Sequence, residues 1–418
     1  MNARLCLPKQ SSIFGLEFWI GILDWNSQSM RMNRLGSRFV WQVLGTCLLV
    51  SFATRAQSPQ TIADQFSTAE RLKKPGWWPT KGNAPKDEYV GPAACTRCHS
   101  DIAASQKTTP MARTARPPSD SELLRSHDKV DLSQGPYKYE MTRTAEGEVY
   151  TTTDGQQTIS EPLTWAFGTG NHGQSYLFEH QGSLYETRLT YYQSSQTFGL
   201  TPNHPLSPAE SLEKAIGRKI SSAEAQKCFG CHTTASSVSG VFTPSKATPG
   251  VTCEVCHGPG AAHAAAEKNG FRDEGAAFVL NPARLAPADS VDFCGACHRT
   301  WWDVNQDGFT GIATLRFPAY RLEKSRCWGN GDARITCMAC HDPHQLLAKE
   351  PASYDQRCLS CHKISGSEPK ADHPGAACTV STKDCVTCHM PKYETPEMHT
   401  KFTDHMIRVV KKDAPIPD

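Results

Sequence analysis

The sequence has no apolar run long enough to cross a membrane. Its longest, Phe39 to Ala53, spans 15 residues, whereas a membrane helix needs ~20. It also lacks a charge of one sign: 44 Lys and Arg stand against 42 Asp and Glu, with no basic stripe, which argues against nucleic acid as a partner. Apolar residues are thin for a globular chain, about 43% with glycine included and tyrosine excluded, against roughly 45–50% in ordinary domains. Such a chain needs something other than Leu and Ile to fill its interior. No internal repeat is longer than a five-residue motif.

What is present in excess is cysteine, with 18 residues, followed by histidine, with 16. Ahead of most of them lies an export signal that begins late. Arg31, Arg34 and Arg38 form a basic segment, Phe39 to Ala53 the apolar segment and Thr54-Arg55-Ala56 a small-residue cleavage site, the order of a secretory signal. Met30 or Met32 is the natural start, and residues 1–56 are expected to be signal and upstream sequence. Cys47 sits inside the apolar segment with Leu48, Leu49 and Val50 behind it, a poor place for lipidation. Residues 57–418 carry two more acidic than basic side chains. A mildly acidic exported protein suits partners with a positive docking face, and no transmembrane span is expected after signal cleavage.

The motif is Cys-x-x-Cys-His, and it occurs seven times: Cys95-Cys98-His99, Cys228-Cys231-His232, Cys253-Cys256-His257, Cys294-Cys297-His298, Cys337-Cys340-His341, Cys358-Cys361-His362 and Cys385-Cys388-His389. Two thiols one helical turn apart can add across the two vinyl groups of one haem, and the adjacent histidine then faces the iron as proximal ligand. Zinc ribbons, iron-sulfur clusters and disulfides also use paired cysteines but do not require histidine next. At this histidine content, seven of seven by chance is roughly 10⁻¹⁰. The expected cofactors are therefore seven covalently attached haems. Outside the motifs and the upstream segment only Cys327 and Cys378 remain, either as a disulfide or as two separate thiols.

The motifs are unevenly spread. Cys95 and Cys228 are 133 residues apart, whereas later gaps run 25, 41, 43, 21 and 27. This gives a leader and first haem site at 57–120, an insert at 121–207 and a six-haem domain at 208–418. In the insert, Tyr137 to Arg143 and Glu148 to Thr153 alternate polar and apolar, Asp154-Gly155 is a hairpin turn, and Ser175 to Phe178 and Leu184 to Tyr192 repeat the pattern around Gln181-Gly182. Period two with such turns predicts a small antiparallel β-insert between the first and second haems. The remainder is expected to be mostly irregular, with short α-helices packed around haems and Ser221 to Gln226 leading helically into the second site.

A haem with two protein ligands passes electrons, whereas one with an open face can bind and transform a substrate. The candidates for second ligands are His263, His344, His373, His399 and His405, with Met111 for the first haem, 12 residues beyond His99. His344 lies three residues past His341 and cannot reach the opposite face of the same haem, so it would serve a neighbour. The seventh ligand would come from His127, His172, His180 or His204. His172 stands out within Gly168-Thr169-Gly170-Asn171-His172-Gly173, because flanking glycines permit close approach of backbone to a cofactor. A plain loop between strands explains the same residues equally well.

The run Tyr89-Val90-Gly91-Pro92-Ala93-Ala94-Cys95-Thr96-Arg97-Cys98-His99, with Thr-Pro-Met-Ala after it, resembles the opening of the cytochrome c-552/c-554 family of multihaem cytochromes. The segment Gly-Val-Thr-Cys-Glu-Val-Cys-His-Gly-Pro-Gly at 250–260 and the ending Cys385 to Lys392 with Phe402-Thr403-Asp404-His405 are similar to that family too. The resemblance implies that His263 and His405 are distal ligands and that Met111 holds a distal-ligand position often occupied by histidine. The long gap after the first motif departs from the compact four-haem carriers. No motif ends in lysine, unlike the usual signature of pentahaem nitrite reductases. The expected function is electron transfer along a haem chain in the periplasm or at the cell surface. The redox protein partners would be a quinol-oxidising membrane cytochrome or a terminal reductase. The alternative is an oxidoreductase with one open haem, near His172 and Tyr176, acting on a small nitrogen or sulfur compound.

Overall fold

A computed structural model describes residues 84–325, 327–328, 335–362, 378–395, 398, 400–411 and 413–417. The expected signal segment, His373 and His399 lie outside these residues. Among the described residues no helix is long and apolar enough to cross a membrane.

The largest element is an antiparallel sheet of ten strands. They are β1 (Ala115–Arg116), β2 (Lys129–Gln134), β3 (Tyr137–Arg143), β4 (Glu148–Thr153), β5 (Thr158–Phe167), β6 (Gly173–His180), β7 (Ser183–Glu186), β8 (Leu189–Tyr192), β9 (Thr197–Leu200) and β10 (Arg218–Lys219). The main order is β10-β7-β6-β5-β4-β3-β2, with β1 on β5 and β8 bridging β6 and β9. Alternation explains the pairing. Tyr137, Tyr139 and Met141 of β3 point inward, as does Tyr150 of β4, and Met141 sits opposite Tyr150 in register. A one-residue slip would turn this set to solvent. The turn between β6 and β7 uses Gln181 and Gly182, both at positive φ, as a tight hairpin requires. The strands expected from 137 to 192 are thus present, and the sheet is larger than the small insert foreseen, reaching back to Ala115 and on to Lys219.

The helices are short. The longest described, Pro287–His298, has 12 residues, and each of the seven motifs begins within a helical turn. The helix Ser222–His232 joins sheet to motif: Ser221 Oγ accepts the Glu224 N–H at 3.2 Å as N-cap, and Ala225 and Phe229, one turn apart, are buried. They pack with Ala115, Phe167, Leu177 and Ile220, so the second motif is seated on the sheet. The sheet has its own core of Tyr139, Met141, Tyr150, Tyr176, Phe178, Leu189 and Ile216. Among the described residues the helical part has small clusters, such as Val291 with Ala319 and Leu322.

Candidate haem sites

In a Cys-x-x-Cys-His turn the histidine N–H bonds back to the first cysteine. His99 does so to Cys95 and His341 to Cys337, both at 2.9 Å, and His362 to Cys358 at 3.0 Å. One helical turn therefore places both sulfurs and the imidazole on one side of the backbone.

Three further histidines stand opposite motif histidines. The ring centres of His99 and His263 are 6.4 Å apart with an interplanar angle of 20°. Those of His257 and His344 are 6.1 Å apart at 5°, and those of His341 and His405 are 6.3 Å apart at 51°. Metal–nitrogen bonds of about 2.0–2.1 Å, plus about 1.1 Å from ring nitrogen to ring centre, put two imidazoles on one metal about 6.3 Å apart. All three pairs have that spacing, so these residues fit a six-coordinate haem iron.

The ring nitrogen facing away from such a metal needs a partner to fix tautomer and orientation. His257 Nδ1 has the Leu280 carbonyl at 2.7 Å, His263 Nδ1 the Gly275 carbonyl at 2.9 Å, and His389 Nδ1 the Arg408 carbonyl at 2.9 Å. His405 Nδ1 has the Thr403 carbonyl at 3.0 Å, and His232 Nδ1 has Thr114 Oγ1 at 2.6 Å. His344 Nδ1 has Asp342 Oδ1 at 3.3 Å. With Nδ1–H donating, Nε2 carries the free lone pair. Burial pushes His405 down to about 4 and lowers His232, His257, His298 and His341 as well. These rings are neutral near pH 7 and able to bind a metal.

The other candidates sit elsewhere. Met111 opens a single helical turn, Met111–Arg113, whose first carbonyl accepts the Val251 N–H at 3.0 Å. The residue facing His99 is His263. His172 rests on the hairpin formed by Lys392–Thr395 and Thr400–Thr403, with Nδ1 3.0 Å from Thr400 Oγ1 and its ring stacked on Phe402. His180 lies between Glu161 and Glu213, at 2.7 and 3.3 Å, and His204 lies 3.5 Å from Glu186. His127 packs against Tyr191 and Phe198, its Nδ1 on the Leu123 carbonyl. Tyr176 is buried and donates to Gln174. Cys327 and Cys378 are both unbridged.

The motifs lie against one another. The helices that carry Cys95 and Cys253 pack together, as do those of Cys294 and Cys337 and those of Cys358 and Cys385. Cys231 Sγ is 3.6 Å from the carbonyl of Ala296 inside the fourth motif. Cys256 packs against Phe293, next to Cys294, and the His341 ring centre lies 5.6 Å from that of Tyr354, which precedes the sixth motif's helix.

Sequence reasoning missed the residues that brace these sites. Glu254, within the third motif, accepts the N–H groups of Val90, Gly91 and Gly260, each at 2.9 Å. Asp404, beside His405, is fully buried and holds Arg321 through two 2.8 Å bonds. The only available signal was a carboxylate adjoining a motif or a candidate ligand.

Residues 189–258 match the family model of cytochrome c554 and c-prime. Of solved structures, one titled as the crystal structure of the outer cell wall cytochrome OcwA aligns with 77% of this chain and 80% of its own, at 14% identity and a TM-score of 0.45. No curated protein matches the sequence. The seven attachment motifs, the facing histidines and the matched segment agree that the chain is a multihaem c-type cytochrome that binds haem covalently.

Proposed function

We propose that the chain is an exported heptahaem electron carrier that relays electrons between a quinol-oxidising membrane cytochrome and a terminal reductase. The observation that carries this reading is the unbroken series of motif contacts. Each cysteine sulfur is bonded to a porphyrin edge when haem is attached, so motifs that pack on one another bring two porphyrin edges together. The helices of motifs one and three, four and five, and six and seven pack on each other. Three neighbours four through Cys256 and Phe293, five neighbours six through His341 and Tyr354, and two meets four at Ala296. The haems would then follow a line, one-three-four-five-six-seven, with the second haem as a branch.

Two-histidine ligation supports a carrier. His99/His263 would hold the first haem, His257/His344 the third and His341/His405 the fifth. In this arrangement His263 fills the position that proximity in sequence suggested for Met111. A second reading, an oxidoreductase with one open haem, draws on the sheet: His180 and His204 are engaged by carboxylates, which removes two of the four residues considered for a seventh ligand. One sample distinguishes the two. Intact mass of the matured protein should exceed the polypeptide by seven haems, and electron paramagnetic resonance of its oxidised form should show low-spin iron only. A stoichiometric high-spin signal would select the oxidoreductase, and six or fewer haems would reject both forms of the proposal.

A further inference from the structure

Two buried carboxylates each join a pair of neighbouring motifs. Glu254 is 3% exposed and belongs to the third motif. Its Oε2 accepts the Gly91 N–H and its Oε1 the Val90 N–H. These donors lie just ahead of Pro92–Thr96, the helix that carries Cys95. The same Oε1 accepts the N–H of Gly260, in the turn that leads to His263. One side chain thus ties together the first motif, the third motif and the residue facing His99. Asp355 is 6% exposed and lies three residues ahead of Cys358. It accepts the N–H of Asp384 at 2.8 Å and of Cys385 at 2.9 Å, at the start of the seventh motif's helix, Cys385–His389.

We propose that Glu254 and Asp355 are positioning residues that clasp the first haem to the third and the sixth to the seventh, and that their charge holds those pairs at lower reduction potential. Both oxygens of each side chain act as acceptors, the role of an ionised carboxylate. A negative charge in a poorly solvated site favours ferric over ferrous iron, because reduction removes a positive charge from its neighbourhood. Each carboxylate lies beside cysteines of both motifs of its pair: Glu254 adjoins Cys253 and accepts the N–H groups just ahead of the Cys95 helix, and Asp355 opens the helix of Cys358 and accepts the Cys385 N–H. Those sulfurs occupy the places of the thioether links to the porphyrin edges.

The inference rests on the haem pairing proposed above, and the test separates the two. Haem-loaded protein is titrated electrochemically while visible absorption is recorded, with intact mass and paramagnetic resonance taken on the same samples. Glu254→Gln should shift two of the midpoint potentials upward, while Glu254→Asp, which keeps the charge, leaves them near wild type. Asp355→Asn should shift a different two. If wild type lacks the haem complement or the low-spin signature, the carrier reading fails. If those hold but midpoints are unmoved in Glu254→Gln and Asp355→Asn, or move equally in Glu254→Asp, the charge role is wrong. Loss of haem loading in both neutral variants would also overturn it and leave the two residues a purely structural part.

Discussion

Arg321→Met removes the cation that pins the C-terminal segment carrying His405. Arg321 and Asp404 are fully buried, and Nε and Nη2 each lie 2.8 Å from a different carboxylate oxygen. Nη1 also donates to the Pro417 carbonyl at 2.6 Å. Breaking such a pair from one side costs about 3–5 kcal/mol, mostly from the charge left behind. Asp404 would keep Arg408 and the Met406 N–H, which points to the lower end, about 3 kcal/mol, or roughly a hundredfold in equilibrium. Ser325, whose Oγ donates to the His405 carbonyl at 2.8 Å, cannot replace the lost anchor. The measurement is the guanidinium midpoint of the haem-loaded protein, with paramagnetic resonance to detect high-spin iron where His405 has let go. Arg321→Met should lower the midpoint and produce high-spin iron at one haem. Arg321→Met/Asp404→Asn should recover much of the loss, because no uncompensated carboxylate remains. A single variant within about 1 kcal/mol of wild type, or a double variant no better than the single, would refute this account of the strap.

Three further outcomes are expected. His263→Ala should yield one high-spin haem in the oxidised protein, whereas Met111→Ala should yield none; the reverse pattern would restore Met111 as the ligand. Phe229→Ala opens the joint between the sheet and the second motif, where Phe229 is 0% exposed, and should cost about 3–5 kcal/mol by denaturant unfolding. Burial raises Glu186, but the His204 imidazole 3.5 Å away and the hydrogen-bonded Arg218 guanidinium outweigh it and hold the carboxyl below its usual value. A depressed carboxylate contributes stability above its unfolded value of about 4.3 and loses it as pH falls through the lower folded value. The melting-temperature gap between wild type and Glu186→Gln should therefore be full near pH 6 and close below about pH 4; a gap independent of pH would sink the argument.

The attachment motifs were legible because their chemistry fixes spacing within five residues. The strands were legible for a similar reason, since Tyr137 to Arg143 writes its buried face as a period of two. Residues 263, 344 and 405 were recognisable as ligand candidates, but which iron each would serve was not. His263 faces His99 across 164 residues of sequence, a pairing that depends on Glu254 joining Val90, Gly91 and Gly260. Met111 looked suitable for His99 because it was close in sequence. In the fold its turn instead packs on the chain leading to the third motif, where Gly250, at φ +73, lies so near Ala112 that a side chain would collide with the Ala112 carbonyl. Long-range contacts set which histidine faces which motif, and no local pattern records them. His373 and His399 lie outside the described residues.

The low apolar content acquires a physical meaning from where the cores lie. The sheet packs Tyr139, Tyr150, Phe178 and Leu189 as an ordinary protein interior, whereas Phe293 of the fourth motif's helix packs against partly buried apolar residues such as Leu280 and Leu285. A helix of five residues, as at Cys253–His257, cannot hold itself together in water. Its order must come from what it packs against and from what caps its ends. Bound porphyrin would supply the packing, and carboxylates such as Glu254 and Asp355 accept the N–H groups that short helices and turns leave unpaired. On the proposal above, these polar residues would brace the fold beside the porphyrin edges, so removing their charge would change scaffold and field together, whereas Glu254→Asp would keep the field.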